Sequence, residues 1–553
     1  MSSSSQRAQI QEIIDTTEAE DQSSTLEPEV DGDHAQDDDD GSDKPQASSS
    51  KSKKKKKSKA AKVLDAVRGK NEIPQELVSH VVDRVVAEHG ANTAVSNEDN
   101  IRQALERMKI MDVLKGKSGV SGRGKKAMGE HKFWATQPVP QLGDEVPSED
   151  EDGFIEPSKP REEVRQEPYP LPKDFEWSIL DINDPKQIKE VYNLLSLNYV
   201  EDDEAAFRFQ YSAEFLEWAL KPPGYLKEWH LGVRVVSNQK LVAFISGVPM
   251  TLRVRGNVFR ASEINYLCVH KKLRSKRLAP VLIKEITRQV NLTGIFQAIY
   301  TAGVVLPTPV STCRYFHRSL NIQKLIDVKF TYVPRSMTLA RMIRVYKTAA
   351  QPQLSGLREM EDKDVSEVAD LFTRYMQRFS MGQVMTLDEI CHQFLSGRGR
   401  MDEPSEHYRR PGQVVWTYVV EDPETHRITD FFSFYSLPST IINHPKYALL
   451  EAAYLFYYAS DMAFAEDSEA DSKLKKRLET LMGDALIIAN QAKFDVFNAL
   501  TLMDNCGFLE TLKFGAGDGL LNFYLYNWRT APLAGVSAVG GVEPGKGIGV
   551  VML

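Results

Sequence analysis

Apolar and polar positions follow three textures along the 553-residue chain. Positions 1–62 hold too little apolar surface to offset chain entropy and predict a disordered tail. Residues 63–116 repeat apolar positions at helical spacing in short pieces, as in Val78, Val81, Val82 and Val85, which predicts a helical extension. An acidic, proline-rich stretch at 141–168 reads as a surface linker, so 63–168 together form extension and linker. From about 170 to 528, helix-like periodicity alternates with β-branched and aromatic runs. Strands are predicted at Leu241–Pro249, 262–269, 413–421, 429–436 and 520–528, with Gly256-Asn257 turning a hairpin. Leu278, Val281, Leu282 and Ile286 form one apolar helical stripe, and Pro280 falls in its first turn, where a missing N–H is harmless. Two α+β units, 169–350 and 351–553, fit this alternation.

The four cysteines (Cys268, Cys313, Cys391, Cys506) are scattered, which predicts a reducing compartment and neither a disulfide framework nor a metal site. No apolar run approaches the ~18 residues that span a bilayer, and a cytoplasmic monomer is expected. The net charge of −8 hides a strong asymmetry. An acidic stretch at 18–44 precedes a lysine block (Lys51, Lys53–Lys57, Lys59, Lys62), a generic arm for ribosome, RNA or another polyanion.

The densest chemical signal runs from Glu263 to Pro280. Five of the seven residues from 271 to 277 are basic and sit between a predicted strand and a helix start. Backbone N–H groups, the helix dipole and these cations together make an anion site, although a lone cluster of this kind is more often a solvated turn. Glu263–Lys271 and Lys513–Gly519 resemble the two signature segments of the fungal-type N-myristoyltransferases. Matching stretches are His131-Lys132-Phe133-Trp134, Phe207–Tyr211, Tyr300–Gly303 and Pro307–Tyr315, covering about 130 to 553 in order.

That resemblance implies two acetyltransferase-like (GNAT-like) halves around a saddle-shaped mixed sheet. It implies transfer of myristoyl from myristoyl-CoA, a co-substrate rather than a cofactor, to the N-terminal glycine of proteins or nascent chains. His131, Lys132, Phe133 and Trp134 would line the adenine and pantetheine end, though alone they read as an aromatic anchor. Arg274, Ser275, Lys276, Arg277, Leu278, Ala279 and Pro280 would take the CoA phosphates. The amides of Tyr266 and Leu267 would form an oxyanion hole, with Cys268 and Val269 continuing the acyl-CoA wall. Tyr266 stands where many relatives have phenylalanine, which a backbone donor tolerates.

Read without the resemblance, Cys268 with His270 could be a nucleophile pair. On a strand the two sit about 7 Å apart on one face with no third group to orient them, which favours a lining cysteine and a structural histidine. The resemblance makes the Leu553 carboxylate the base, with Asn265 and Thr301 holding the amine. The tail after Trp528 is glycine-rich and should add little to the core, yet it closes on Val550-Val551-Met552-Leu553. Burial of that apolar end would raise its carboxylate from about 3.5 toward a useful base. Glu201, Asp202 and Asp203 before Phe207, Phe209 and Tyr211, together with Asp518 in the glycine-rich loop, would face a basic peptide side chain. That loop lacks a lysine-serine/threonine end and is no nucleotide loop. The rival reading is a non-catalytic acyl-CoA- or RNA-binding protein.

Overall fold

Two long strands set the frame, Leu241–Val254, buried on both faces along its first eight residues, and Asn257–Val269. In chain order the strands are β1 (Phe175–Ile179), β2 (Phe207–Phe209), β3 (His230–Val235), β4 (Leu241–Val254), β5 (Asn257–Val269), β6 (Ala298–Ala302), β7 (Ser311–Ser319), β8 (Leu357–Glu359), β9 (Met381–Val384), β10 (Val415–Glu421), β11 (Ile428–Ser436), β12 (Ser439–Ile441), β13 (Leu449–Leu450), β14 (Ala452–Ser460), β15 (Val496–Leu500), β16 (Gly515–Tyr526) and β17 (Ile548–Gly549). This computed structural model describes residues 132–141, 144, 148, 151–200, 206–401, 408–466, 470–535 and 547–553. The tail with its lysine block, the helical extension, His131 and Glu201–Asp203 lie outside the described residues.

One mixed sheet runs β1-β3-β4-β5-β6-β16-β7-β15-β14-β11-β10-β8, with β9 joined to β4 and β17 to β9. A small sheet, β13-β12-β2, stands beside it. The chain is thus α+β, and β16, late in sequence, lies between β6 and β7. The boundary expected near 350 falls between β7 and β8.

The β4–β5 hairpin pairs Val254 with Asn257, so its turn is Arg255-Gly256, one residue earlier than the sequence suggests. Arg255 takes the left-handed conformation (φ 49°), and its guanidinium is held by Asp152 at 3.0 Å, which offsets the cost of that backbone geometry. After β5, the basic turn winds into a 3-10 helix, Lys271–Lys276. A long α-helix (α1, Leu278–Asn291) follows, burying Leu278, Leu282 and Ile286 against the sheet as its stripe predicts. Pro280 is its third residue. The glycine-rich segment 515–519 is no free loop: it opens β16 and pairs with β7 through a bulge between Ala516 and Leu520.

The end of the chain corrects the expectation of a marginal tail. β17 pairs in parallel with β9 (Ile548↔Met381, Gly549↔Gly382), and Ile548, Val550, Val551 and Met552 are buried in the main core. A Cβ on Gly549 would come within 2.9 Å of the Phe379 ring and 3.1 Å of the Met381 carbonyl. Glycine there is what lets the terminus enter.

Candidate active site

Strand β5 carries an irregularity at its functional end. Its register with β4 steps from Phe244↔Cys268 to Ser246↔Asn265, so Tyr266 and Leu267 together oppose Ile245. Tyr266 takes φ 56°, the left-handed conformation of a bulge residue. On its other edge β5 pairs with β6 only over Ser262–Ile264. The bulge re-aims the amides of Tyr266 and Leu267, and the Tyr266 ring packs 6.1 Å from that of Tyr199.

Strand parity groups the polar candidates. Glu263 and Asn265 point to one face of β5 as i and i+2. Ile264 pairs with Tyr300, so Thr301 on β6 stands level with Asn265 one step beyond the last pair. The Asn265 amide Nδ2 donates to Glu263 Oε1 at 2.6 Å. The backbone of Leu553 lies close enough to the Glu263 carboxylate to lower its pKa, which brings the chain terminus to β5. Burial pushes the Glu263 carboxyl up to about 7, against the lowering effect of the Asn265 amide and the Leu553 backbone. Upstream, the Val551 N–H donates to the Tyr457 hydroxyl at 3.0 Å, pinning the tail two residues before its end.

At the other end of the bulge lie the cations. The Arg274 guanidinium donates to the Asn198 carbonyl at 2.5 Å, and the Lys271 N–H to Asn198 Oδ1 at 3.1 Å, so the turn is fastened by one asparagine. Arg277 is left-handed (φ 55°) and stands at the N-cap of α1 without a side-chain capping bond. The helix thus begins at Leu278 directly after exposed Lys276 and Arg277, with no capping side chain on its first N–H groups. Ser275 belongs to the same 3-10 turn. His270 Nδ1 accepts the Lys272 N–H at 3.3 Å, a structural cap. Cys268 is buried with Sγ 3.9 Å from the Leu194 carbonyl, and burial pushes its thiol up to about 12 despite the nearby Arg274. A thiol so placed is a poor nucleophile. Val269 pairs with Ala243 beside it.

Aromatic rings extend the site both ways. Trp134 stacks on Tyr300 at 5.5 Å and Tyr300 on Tyr524 at 5.1 Å, with Phe133 edge-on to Trp134 at 5.2 Å, so the segment containing Lys132 docks on β6 and β16. On the far side Tyr211 meets Tyr266 at 5.4 Å and Phe209 meets Tyr211 at 6.1 Å. Phe207 packs edge-on against Phe330, which packs on His317. Burial lowers the His317 imidazole, opposed by its 2.7 Å hydrogen bond to Asn498 and by the charge of Asp518.

The family model "Myristoyl-CoA:protein N-myristoyltransferase, N-terminal domain" matches residues 154–313, and its C-terminal counterpart matches 327–551. The chain belongs to the myristoyl-CoA:protein N-myristoyltransferase family. It is 53% identical over 460 residues to the glycylpeptide N-tetradecanoyltransferase of Emericella nidulans, covering 83% of this chain and 90% of that one. The Aspergillus fumigatus enzyme of that name is 52% identical over 464 residues, covering 83% and 91%. A Saccharomyces cerevisiae N-myristoyltransferase solved with bound myristoyl-CoA superposes with a TM-score of 0.73 at 49% identity, over 77% of this chain and 100% of that chain. As a member of this family the chain is an acyltransferase.

For an N-myristoyltransferase the arrangement is economical: one strand, β5, carries Glu263, Asn265, Tyr266, Leu267, Cys268 and Val269, then hands on to the cationic turn. The charge of Asp518 acts on His317, and Phe207 reaches the same histidine only through Phe330. Sequence reasoning singled out neither Glu263, Tyr199 nor Tyr457 for a role. Only Glu263 had a readable signal, its two-residue spacing from Asn265 on a predicted strand. Among the described residues no helix is long and apolar enough to cross a membrane, and no three His, Cys, Asp or Glu side chains cluster to hold a metal ion.

Proposed function

We propose that this chain transfers myristoyl directly from myristoyl-CoA to the N-terminal glycine amine of proteins, with the Leu553 α-carboxylate as general base. The reading rests chiefly on one observation: the terminal residue is drawn to the face of β5 that holds Asn265. A free α-amine has a pKa of about 7.7–8.0 and arrives mostly protonated at neutral pH. The carboxylate takes one proton, and Asn265 and Thr301 hold the neutral amine by hydrogen bonds. Its nitrogen attacks the thioester carbon, forming the C–N bond. The oxyanion is held by the Tyr266 and Leu267 amides, whose bulge geometry suits donors aimed at developing charge. The C–S bond then breaks, CoA leaves as a thiolate and takes up a proton, and the new amide nitrogen gives up its surplus proton. No acyl-enzyme on Cys268 enters this sequence.

The cations of the 271–277 turn and the open N-terminus of α1 suit the CoA phosphates, and Trp134 on Tyr300 suits the adenine-pantetheine end. The aromatic groups Phe209–Tyr211 and Phe207–Phe330–His317 suit the peptide, with Asp518 facing a basic side chain downstream. Incubation with myristoyl-CoA and a Gly-Asn-x-x-Ser peptide, followed by mass spectrometry, tests the reading. One myristoyl group is expected on the glycine nitrogen and none on an Ala-Asn-x-x-Ser control. Acyl-CoA binding without product would overturn it.

A further inference from the structure

We propose that Glu263 is a positioning residue for this reaction, orienting both the Asn265 side chain and the last peptide unit of the chain. The proposal rests on the reading of Leu553 and Asn265 just given. An asparagine amide has a donor end and an acceptor end, and a substrate amine must donate to it. Because Nδ2 of Asn265 is committed to Glu263 Oε1 at 2.6 Å, Oδ1 is the end turned away toward an incoming amine. Without the carboxylate both orientations of the amide become available, and one of them presents an N–H to the amine.

The same carboxylate is close enough to the Leu553 backbone to be stabilised by it, one residue's backbone away from the terminal carboxylate. With Val551 tied to Tyr457 and Ile548–Gly549 paired to β9, the tail is held at two points just before its end, and the free end has few remaining rotations. Glu263 makes no ion pair among the described residues. The titratable groups that feel its charge are phenols, Tyr266 of its own strand, Tyr435 of β11 and Tyr457 of β14. A carboxylate drawn away from water without a cation is costly, and here the groups that favour its charged form, the Asn265 amide and the Leu553 backbone, both belong to the proposed chemistry. Glu263 thus works through its neighbours and not as the base.

The test uses the full chain with Glu263→Gln, Glu263→Asp, Asn265→Ala and the Glu263→Gln/Asn265→Ala pair, in single-turnover assays from pH 6 to 9. Glu263→Gln should lower kcat by about 10- to 100-fold, the scale of a misplaced reactive group, while the KM for acyl-CoA stays within about twofold. Its pH–kcat profile should shift where Glu263 titrates. The double variant should lose less than the product of the two single losses, because one residue acts through the other. Should Glu263→Gln fold poorly by thermal denaturation, Glu263→Asp keeps the charge with a shorter reach and should show the same kcat loss with acyl-CoA affinity intact. A wild-type kcat and pH profile in a folded Glu263→Gln enzyme, or fully multiplicative losses, would sink the proposal. An enzyme whose terminal carboxylate has been amidated separates the two failures. If it is inactive while Glu263→Gln is normal, only the Glu263 proposal falls; if it turns over normally, the base reading itself is wrong.

Discussion

Converting the Leu553 carboxylate to a carboxamide is the cleanest perturbation of the proposed base. The two groups are nearly isosteric, so the β17–β9 pairing, the Val551 hydrogen bond to Tyr457 and the burial of Met552 all persist. Deleting Met552 and Leu553 is a blunter tool, because Met552 is only 7% exposed and its loss alone costs about 1.5–3 kcal/mol of stability. The deletion also withdraws the terminus by up to about 7 Å along an extended chain. General-base contributions are about 10²–10⁴-fold, so the amidated enzyme should turn over at least about 10²-fold more slowly, a barrier increase near 2.7 kcal/mol. Acyl-CoA affinity and melting temperature should stay close to the parent's. Part of the loss should return at high pH, since an amine of pKa about 7.8 goes from roughly a tenth neutral at pH 7 to about nine-tenths at pH 9. The rescue is thereby capped at about tenfold. Intein-based amidation followed by single-turnover transfer, read by mass spectrometry at both pH values, gives the numbers. An amidated enzyme running within about threefold of the parent at pH 7 would refute the assignment of Leu553.

Replacing Arg274 and Lys276 together by alanine should raise the KM for acyl-CoA well above any change in the KM for peptide, since each charge-assisted bond to phosphate is worth about 1.5–3 kcal/mol. Equal changes in steady-state assays would argue against a phosphate site. Cys268→Ala should keep substantial activity, and the parent thiol, buried and pushed up to about 12, should resist alkylation at pH 8. An acylated Cys268 found by peptide mapping would contradict both. Gly517→Ala would drive a methyl into the His317 ring, so the KM for peptide should rise far more than that for acyl-CoA. The Glu263 carboxyl is raised from 4.5 to about 7, so its stabilising neutral form is fully present below pH 4.5 and its advantage is lost as pH rises through 7. The melting temperature of Glu263→Gln relative to the parent should accordingly climb between pH 5 and 8, by an amount on the order of 3 kcal/mol in stability.

Local pattern determined much of this protein. The apolar stripe at Leu278, Leu282 and Ile286 becomes the buried face of α1, and the alternation in 262–269 becomes the inner half of β5. The cationic turn between them was legible because strand, turn and helix are consecutive, and short-range periodicity reports them directly. The signature segments carried the family. Three features were decided only by the tertiary structure. The hairpin turned at Arg255 because Asp152, far upstream, holds its guanidinium in a left-handed position that propensity disfavours. The glycine-rich segment became strand because β7 offered it an edge. The glycine-rich terminus entered the core because β9, itself paired to β4, offered another, and that descent placed Leu553 against Glu263. Composition reports the entropy a glycine-rich segment must lose. The hydrogen bonds and burial that outweigh it come from partners more than a hundred residues away, which no local pattern records.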